Sequence, residues 1–320
     1  MAASRKRLGI VMDPIATIKP EKDTSFAMLL EAQQRDYELI YFEQQDLWLD
    51  NGVAFGAGRS LRVIDQTIDF FEFGDAETRQ LGSLDVILMR KDPPFDMEYV
   101  YTTYILERAS ETGALVVNRP QALRDMNEKM FTAWFPDLCP PTLVSRSKQT
   151  IKRFIAAQGK AIVKPLDGMG GRSIFSVEQG APNTNVILET LTDNEQRFAM
   201  AQAYVPEIVD GDKRVIVIDG EPLEYLLARV PGGDDPRGNL VMGARGEGRA
   251  LSDTERHIAV RVGERLKQAG VLFAGLDVIG SALTEINVTS PTGIREIDRQ
   301  FGTNSAGRLF DAIERQLDHA

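Results

Sequence analysis

Short apolar runs alternate with amphipathic helical patterns through the first third of the chain, and this alternation restricts the fold more than any other feature. Such runs are typical of buried strands, and each helical pattern has an apolar stripe that must pack against a neighbour. Strand–helix alternation of this kind predicts a parallel sheet covered by helices. The predicted strands are Leu8–Met12, Tyr37–Phe42, Leu84–Met89 and Ala114–Asn118, and the predicted helices are Ser25–Gln34 and Met97–Glu111.

The first predicted strand lacks the signature of a dinucleotide site. No GxGxxG motif follows it, and the chain runs into Met12-Asp13-Pro14 instead. The glycines of that motif allow the backbone to approach a pyrophosphate closely. We therefore predict a Rossmann-like parallel sheet domain without dinucleotide chemistry.

A second region begins near Arg124–Lys129, where Asp125 and Glu128 have the spacing of a capping box that starts a helix. Beyond it, predicted strands become more frequent, which indicates a mixed α+β region rich in antiparallel pairs. We place the domain boundary so that the domains span residues 1–126 and 127–320. The strands predicted there are Ala161–Pro165, Ser173–Val177, Met200–Val205, Arg214–Ile218, Pro222–Arg229, Phe273–Ile279 and Leu283–Val288, and the helices are Lys148–Gln158, Asp253–Ala269 and Ser305–Gln316.

Histidine and cysteine are too scarce for several classes of active site. The chain has two histidines, His257 and His319, and one cysteine, Cys139. The single cysteine excludes disulfides within the chain and cysteine-based zinc sites. His257 lies in a polar helical stretch and His319 is penultimate, which argues against a Ser-His-Asp triad, a Cys-His pair or an HExxH site. A catalytic site in this chain must use Lys, Arg, Asp, Glu, Asn and backbone amides.

Charge and hydropathy restrict the partners. The formal net charge is −10, which argues against binding to nucleic acid or to an anionic membrane surface, because both depend on Lys and Arg. No segment is apolar for long enough to span a membrane, and the first apolar run stops at Asp13, too early for a signal peptide. We expect a cytoplasmic protein.

Two predicted strands near the C-terminus carry oxygen-bearing side chains within apolar runs. Glu285 and Asn287 are two residues apart and so project from one face of a strand. A three-residue loop, Gly280–Ala282, would place Asp277 directly opposite Glu285, whereas a two-residue turn would put them on opposite faces. Facing carboxylates repel unless a cation lies between them. We favour the three-residue loop with Mg²⁺ or Mn²⁺ held by Asp277, Glu285 and Asn287, against the alternative of a solvated polar face.

Two lysines and a glycine-rich turn are candidate phosphate ligands. Lys164 ends an apolar strand, and Lys129 lies in the first turn of its predicted helix, where a cation opposes the helix dipole. The residues Gly168-Met169-Gly170-Gly171 allow backbone amides to approach a phosphate. Each feature has an ordinary explanation when taken alone. Asp125 and Glu128 could compensate the charge of Lys129, Lys164 could extend from the strand end to solvent, and the glycine-rich turn could be a plain hairpin.

Arginines complete the set of candidate anion-binding groups. A guanidinium grips carboxylate or phosphate through two parallel hydrogen bonds, although a surface salt bridge would explain each arginine singly. The candidates are Arg90, Arg214, Arg229 and Arg295.

The order of these motifs along the chain resembles that of the ATP-grasp ligases, and the residues within the motifs resemble those of the bacterial glutathione synthetases. The resemblance covers essentially the whole chain. It rests on Gly9–Pro14 (GIVMDP), Met89–Pro94 (MRKDPP), Lys164–Gly171 (KPLDGMGG), Asp210–Arg214 (DGDKR), Arg237–Leu240 (RGNL) and Glu285–Pro291 (EINVTSP).

The resemblance implies roles around a nucleotide. Lys129 and Lys164 would hold the ATP phosphates, and the loop Gly168, Met169, Gly170 and Gly171 would close on them. Asp277, Glu285 and Asn287 would hold two Mg²⁺ ions. Asp212 would contact the ribose, and the adenine hinge would be formed by Gln202, Ala203, Tyr204 and Val205.

The resemblance also implies the reaction, in which γ-glutamylcysteine, glycine and ATP give glutathione, ADP and phosphate through an acyl phosphate. It implies a two-part ATP-grasp domain, divided at about residues 205 and 206, and a homotetramer. From the chemistry of this reaction we expect Arg214, Arg229 or both to steady the transferring phosphoryl group. Because water hydrolyses an acyl phosphate, we also expect the glycine-rich loop 231–248 to be a mobile lid, with Arg237 and Asn239 facing inward. The substrate-binding candidates are Asp13, Arg90, Thr289, Ser290 and Arg295.

Two departures from the family pattern concern loop closure and ATP affinity. Arg172 follows the glycine-rich loop where a small residue is more usual, and Asp234-Asp235-Pro236 precedes Arg237 in the lid. Two alternatives to glutathione synthesis stay open. One is a different ATP-grasp carboxylate–amine ligase, and the other is a nucleotide-binding protein of this fold without turnover.

Overall fold

The computed structural model describes residues 5–168, 171–232 and 245–319. Its N-terminal part is built on a seven-stranded sheet. Its strand order is β3-β4-β2-β1-β6-β7, with β5 paired to β4. The strands are β1 (Arg7–Val11), β2 (Glu38–Phe42), β3 (Leu47–Asp50), β4 (Val53–Val63), β5 (Phe71–Gln80), β6 (Val86–Met89) and β7 (Leu115–Val117). The helices are α1 (Thr24–Gln34), α2 (Met97–Glu111) and α3 (Pro120–Asp125).

The predicted parallel sheet is confirmed for its central strands. Strand β1 pairs in parallel with β2 and β6, and β6 pairs in parallel with β7. The antiparallel extension formed by β3, β4 and β5 was not predicted. The reason lies in the sequence of β5, which is largely exposed and polar and therefore lacks an apolar signal.

A smaller four-stranded antiparallel sheet follows, with the order β10-β9-β11-β8. Its apolar face is covered by two helices, and Ile151, Val163 and Leu188 belong to a core separate from the rest of the protein. The elements are β8 (Thr142–Ser145), α4 (Lys148–Gln158), β9 (Lys160–Pro165), β10 (Phe175–Glu178), α5 (Thr184–Thr192) and β11 (Ala199–Ala203).

The C-terminal part forms a six-stranded antiparallel sheet with the order β15-β14-β12-β16-β17, in which β13 also pairs with β12. Its strands are β12 (Asp212–Ile218), β13 (Glu221–Pro222), β14 (Tyr225–Val230), β15 (Arg245–Ala250), β16 (Phe273–Ile279) and β17 (Ala282–Asn287). Its helices are α6 (Asp253–Gln268), α7 (Ile294–Phe301) and α8 (Ser305–Leu317). The helix α6 begins at a capping box in which Ser252 and Glu255 satisfy each other's backbone N–H groups.

The capping box expected at Asp125 is absent from this position. Asp125 is instead the last residue of α3, which begins at Pro120, a favoured first helical residue. Asn127 then accepts hydrogen bonds from the backbone of Lys129 and Met130, at 3.1 and 2.9 Å, and a 3₁₀ helix spans Met130–Trp134. Lys129 consequently caps a 3₁₀ helix rather than lying in the first turn of an α-helix.

Two other boundaries differ from the prediction. The strand predicted over Pro222–Arg229 is divided into β13 and β14, and the predicted loop 231–248 ends early because Arg245–Ala250 pairs with β14. Elements β8, α5 and α7 were not predicted.

The N-terminal and C-terminal sheets share their cores. Asn118, at the end of β7, donates to the carbonyls of Phe273 and Val288, both at 2.7 Å, and accepts from the amides of Leu272 and Phe273 at 2.9 Å. Both large apolar cores contain residues from each side of this contact. The four-stranded sheet alone has its own core, so it forms one wall of the site without being packed into the others. Among the helices that the structure describes, none combines the length and apolarity needed to cross a membrane.

Candidate active site

A cavity of about 560 Å³ lies between the three sheets. Most of the predicted site residues within the described ranges are on its wall. They are Lys129, Lys164, Gly168, Gly171, Gln202, Ala203, Tyr204, Val205, Asp212, Arg214, Arg229, Asp277, Glu285, Asn287, Thr289 and Ser290.

The hairpin of β16 and β17 places two carboxylates opposite each other at the centre of this wall. Asp277 pairs with Glu285, as predicted, but the predicted three-residue loop is wrong. The turn has two residues, Gly280 and Ser281, with Gly280 at a φ of +58°. A β-bulge at Thr284 supplies the extra residue, and its hydroxyl donates to the Asp277 carbonyl at 3.1 Å. A bulge shifts the register by one residue and so restores the shared face.

Asp277 is held by two arginines. Arg214 donates from Nε to Oδ1 at 2.6 Å and from Nη2 to Oδ2 at 3.1 Å, a bidentate geometry, and Arg229 Nη2 lies 2.9 Å from Oδ1. Burial alone would raise the pKa of Asp277, but the two guanidinium groups hold it well below its usual value. Arg214 lies across Gly275, where a β-carbon would come within 2.8 Å of its Cδ. The glycine therefore makes room for the arginine.

Glu285 is held by two lysines. Lys164 Nζ is 3.1 Å from Oε1, and Lys129 Nζ is 3.7 Å from the same atom. Burial opposes ionisation of Glu285, yet both lysines lower its pKa below the usual value. Lys164 is only 4% exposed and Lys129 only 2%, so neither reaches solvent. Lys129 also pairs with Glu128 and donates to the Gly168 carbonyl at 2.7 Å.

The donors around the carboxylate pair suit a hard divalent cation. The third candidate ligand is the amide oxygen of Asn287. The amide nitrogen of this residue donates to Asp277 Oδ2 at 3.4 Å. Within the described ranges no group of three or more His, Cys, Asp or Glu side chains is poised to hold a metal, so the candidate ligands from the protein are these two carboxylates and the amide oxygen. Carboxylate and amide oxygens are the ligands of Mg²⁺ and Mn²⁺. A carboxylate oxygen has two lone pairs and can accept from an arginine while coordinating a metal.

Asp212 lies beside this group with an unsatisfied oxygen. Its Oδ2 is 2.7 Å from Arg229 Nη2, whereas its buried Oδ1 has no hydrogen-bond partner among the described residues. Burial raises the pKa of Asp212 to about 6, although Arg229 favours the charged form. A buried acceptor without a donor costs free energy, so a ligand hydroxyl at this point would be stabilising.

The raised pKa of Asp212 predicts a pH effect on stability. A carboxyl with a folded pKa above its unfolded value binds protons more tightly when folded, so its contribution to stability falls as the pH rises from about 4 to about 6. We expect the free energy of unfolding of the wild type, relative to Asp212→Asn, to fall across that interval by at most about 3 kcal/mol. Urea unfolding at pH 4.5 and 7.5 measures it. A difference between the two proteins that does not change with pH would contradict the assignment.

One end of the cavity is formed where β11 ends, at the predicted adenine hinge. Gln202 Nε2 donates to Thr142 Oγ1 at 3.2 Å, and the amides of Ala203 and Tyr204 donate to the carbonyls of Pro141 and Lys160, at 2.9 and 3.1 Å. Lys160 Nζ lies over the Tyr204 ring, 4.3 Å from its centroid. The backbone of the hinge is therefore anchored on both sides.

Several cavity residues were missed by the sequence analysis. Lys160 and Ile162 share the strand face of Lys164, and a period of two residues extended backwards from Lys164 would have found them. Glu128 precedes Lys129, and burial raises its pKa. Asp92 lies within the MRKDPP motif but was not singled out, because attention went to the anion-binding guanidinium of Arg90 in the same motif.

Three predicted substrate-binding residues are not on the cavity wall. Arg90 is buried behind it and donates to Ser25 Oγ at 3.0 Å and to the Pro291 carbonyl at 2.9 Å. Asp13 pairs with Lys91 at 2.9 Å. Arg295 pairs with Asp65 at 2.7 Å.

The two middle residues of the glycine-rich loop and the lid residues lie outside the described part of the chain. These are Met169, Gly170, Asp234, Asp235, Pro236, Arg237 and Asn239.

Two family models match the chain and together span nearly all of it. The prokaryotic glutathione synthetase N-terminal domain matches residues 7–124, and the prokaryotic glutathione synthetase ATP-grasp domain matches residues 128–302. The chain belongs to the prokaryotic glutathione synthetase family.

Curated members of this family are similar over almost their full length. The glutathione synthetase of Salmonella typhi is 58% identical over 311 residues, which cover 97% of this chain and 99% of that protein. The glutathione synthetase of Vibrio cholerae is 56% identical over 311 residues, covering 97% and 98% of the two chains.

Solved structures place the fold of this family member among the ATP-grasp ligases. The D-cycloserine synthetase DcsG superposes with a TM-score of 0.68 at 15% identity, covering 97% of this chain and 99% of that one. The ATP-grasp ligase PsnB, solved with a minimal precursor, Mg and ADP, superposes with a TM-score of 0.62 at 17% identity, covering 97% and 98%. The expected architecture, a Rossmann-like domain followed by an ATP-grasp domain, is confirmed.

Proposed function

We propose that this protein is a glutathione synthetase, which uses ATP to join γ-glutamylcysteine to glycine and releases ADP and phosphate. Its full-length relatives carry that name. The observation that carries the proposal is the opposed pair Asp277 and Glu285, held by two arginines and two lysines at the centre of the cavity.

The register of the β16–β17 hairpin gives the order in which the bound molecules would lie along the cavity. Ile279 and the 3₁₀ helix Pro206–Asp210, which contacts Gly280, lie at the hinge end. The carboxylate pair comes next, and Asn287 and Thr289–Thr292 lie at the far end. We assign the adenine and ribose to the hinge and Asp212, the triphosphate to the two lysines, and the substrate acid to the far end.

The charge on the wall supports divalent cations as partners of the nucleotide. The described wall carries five acidic and five basic side chains, which cancel. A triphosphate adds several negative charges, so cations must accompany it into a partly buried site. We propose that Asp277, Glu285 and Asn287 hold Mg²⁺, with Mn²⁺ as an alternative. The ions would neutralise charge on the β- and γ-phosphates.

The chemistry needs an activated carboxylate, because a free carboxylate is anionic and has no good leaving group. In the first step the cysteinyl carboxylate oxygen forms a bond to the γ-phosphorus, and the bond between that phosphorus and the ADP oxygen breaks. In the second step the neutral glycine amine attacks the acyl carbon, and phosphate leaves as the amine loses a proton. Arg214 and Arg229, which line the cavity, would stabilise the phosphoryl group and then the oxyanion.

An acyl phosphate hydrolyses when water reaches it, so the site must exclude water during turnover. The part of the predicted loop that precedes β15, residues 231–244 with Arg237 and Asn239, is our proposed lid. The homotetramer implied by the resemblance and the cytoplasmic location expected from the sequence likewise remain proposals.

A coupled assay of ADP release tests this function. We expect ADP to form only when γ-glutamylcysteine and glycine are both present, in a ratio of one ADP per glutathione. Release that requires a different acid and amine would indicate another ATP-grasp ligase. Nucleotide binding without ADP release for any tested pair would indicate a binding protein without turnover.

A further inference from the structure

Asp92 is a carboxylate on the cavity wall that the proposed reaction does not yet use. It lies in the connection between β6 and α2 and is the acidic group that the N-terminal domain contributes to the cavity. Its backbone amide donates to Asp13 Oδ2 at 2.9 Å, and Lys91 Nζ donates to the Asp92 carbonyl at 2.8 Å. Both backbone groups of Asp92 are therefore hydrogen-bonded, and the position of its side chain does not depend on a ligand.

No cation in the described part of the chain forms a close ion pair with the Asp92 carboxylate, although Arg90 and Lys91 favour its charged form from a greater distance. Its side-chain partner is the hydroxyl of Ser290, and burial raises its pKa. The two neighbouring cations are engaged elsewhere, since Lys91 pairs with Asp13 and Arg90 donates to Ser25 and Pro291. Burial still raises the pKa of this carboxyl despite the Ser290 hydroxyl and the two cations, so a cationic ligand beside it would stabilise its charged form.

The position of Asp92 indicates which ligand it meets. Ser290 follows Asn287 at the end of the cavity away from the hinge, beyond the carboxylate pair. A substrate whose reacting carboxylate faces the triphosphate extends its other end in this direction. In γ-glutamylcysteine, that other end carries an α-ammonium group.

We propose that Asp92 binds the α-ammonium group of the γ-glutamyl moiety and so selects an acid substrate that has one. This proposal rests on the function proposed above. The amine of glycine is a poorer candidate, because it must be neutral to attack. A carboxylate beside it would favour the protonated, unreactive form.

A pair of acids that differ only in this group provides the test. Glutarylcysteine lacks the α-amino group of γ-glutamylcysteine but keeps the reacting carboxylate. Loss of one charge-assisted hydrogen bond corresponds to about 10- to 100-fold in kcat/KM. We expect the wild type to prefer γ-glutamylcysteine by that factor, and Asp92→Asn to reduce the preference to about threefold or less. The KM values for ATP and glycine should stay within about twofold.

The matched control is Glu98→Gln, which neutralises an exposed carboxylate six residues away and outside the cavity. It should keep the wild-type preference. The proposal is overturned if the wild type uses both acids equally well, a result that needs no variant. It is also overturned if Asp92→Asn loses activity with both acids by the same factor, which would indicate a structural role. Absence of ADP release with either acid in the wild type would overturn the proposed function as well.

Discussion

Replacing Glu285 by glutamine is expected to lower glycine-dependent ADP release by at least about 1,000-fold at saturating substrates. The variant keeps the shape of the side chain but removes the charge that balances Lys129 and Lys164 and that would coordinate a divalent cation. Loss of one group that stabilises the charge of a transition state typically costs about 10²- to 10³-fold, and Glu285 serves both the lysines and the metal. The rate is measured with the coupled ADP assay.

The control is Glu221→Gln, an exposed glutamate in the same sheet, which should retain the wild-type rate. Binding of Mg²⁺ with a non-hydrolysable ATP analogue, followed by calorimetry, gives a second measurement. Near-normal turnover or unchanged metal affinity in Glu285→Gln would refute the assignment of the carboxylate pair.

Replacing Arg214 by methionine is expected to reduce both stability and turnover. Arg214 and Asp277 form a buried bidentate pair, with 7% and 4% of each residue exposed. Removal of one partner of a buried ion pair leaves the other charge uncompensated and costs about 3–5 kcal/mol. Arg229 also contacts Asp277 and should keep the loss toward the lower end of that interval. We further expect turnover to fall by about 10²- to 10³-fold because a donor to the transferring phosphoryl group is lost.

Urea unfolding measures the first effect, and the ADP assay below the unfolding transition measures the second. Arg62→Met is the matched control, since Arg62 pairs with Glu72 on the surface at 2.9 Å. Exposed pairs contribute at most about 1 kcal/mol. Arg214→Lys keeps the charge without the two-pronged geometry and should fall between the wild type and Arg214→Met in stability. Equal losses of stability for Arg214→Met and Arg62→Met would contradict the buried-pair explanation.

Local periodicity was sufficient to predict the elements with a strong apolar pattern. Helix α2 and helix α4 have the predicted bounds, and the parallel strands of the N-terminal sheet lie within one or two residues of theirs. The placement of Asp277 opposite Glu285 was also predicted, but through the wrong connection. A bulge and an extra loop residue shift the register equally, so the side-chain pattern alone does not distinguish them.

By itself, the sequence determined the succession of strands and helices, the absence of histidine and cysteine chemistry, and the residues that converge on one face of a hairpin. Only the tertiary structure decided which charges meet. Arg90 and Arg295 have the same chemistry as Arg214, yet neither lines the cavity. Arg90 donates to the Pro291 carbonyl from behind the cavity wall and Arg295 pairs with Asp65, whereas Arg214 binds Asp277 within the cavity. The physical reason is that periodicity specifies the face on which a side chain lies, whereas its ionic partner depends on the packing of sheets that are distant in the chain.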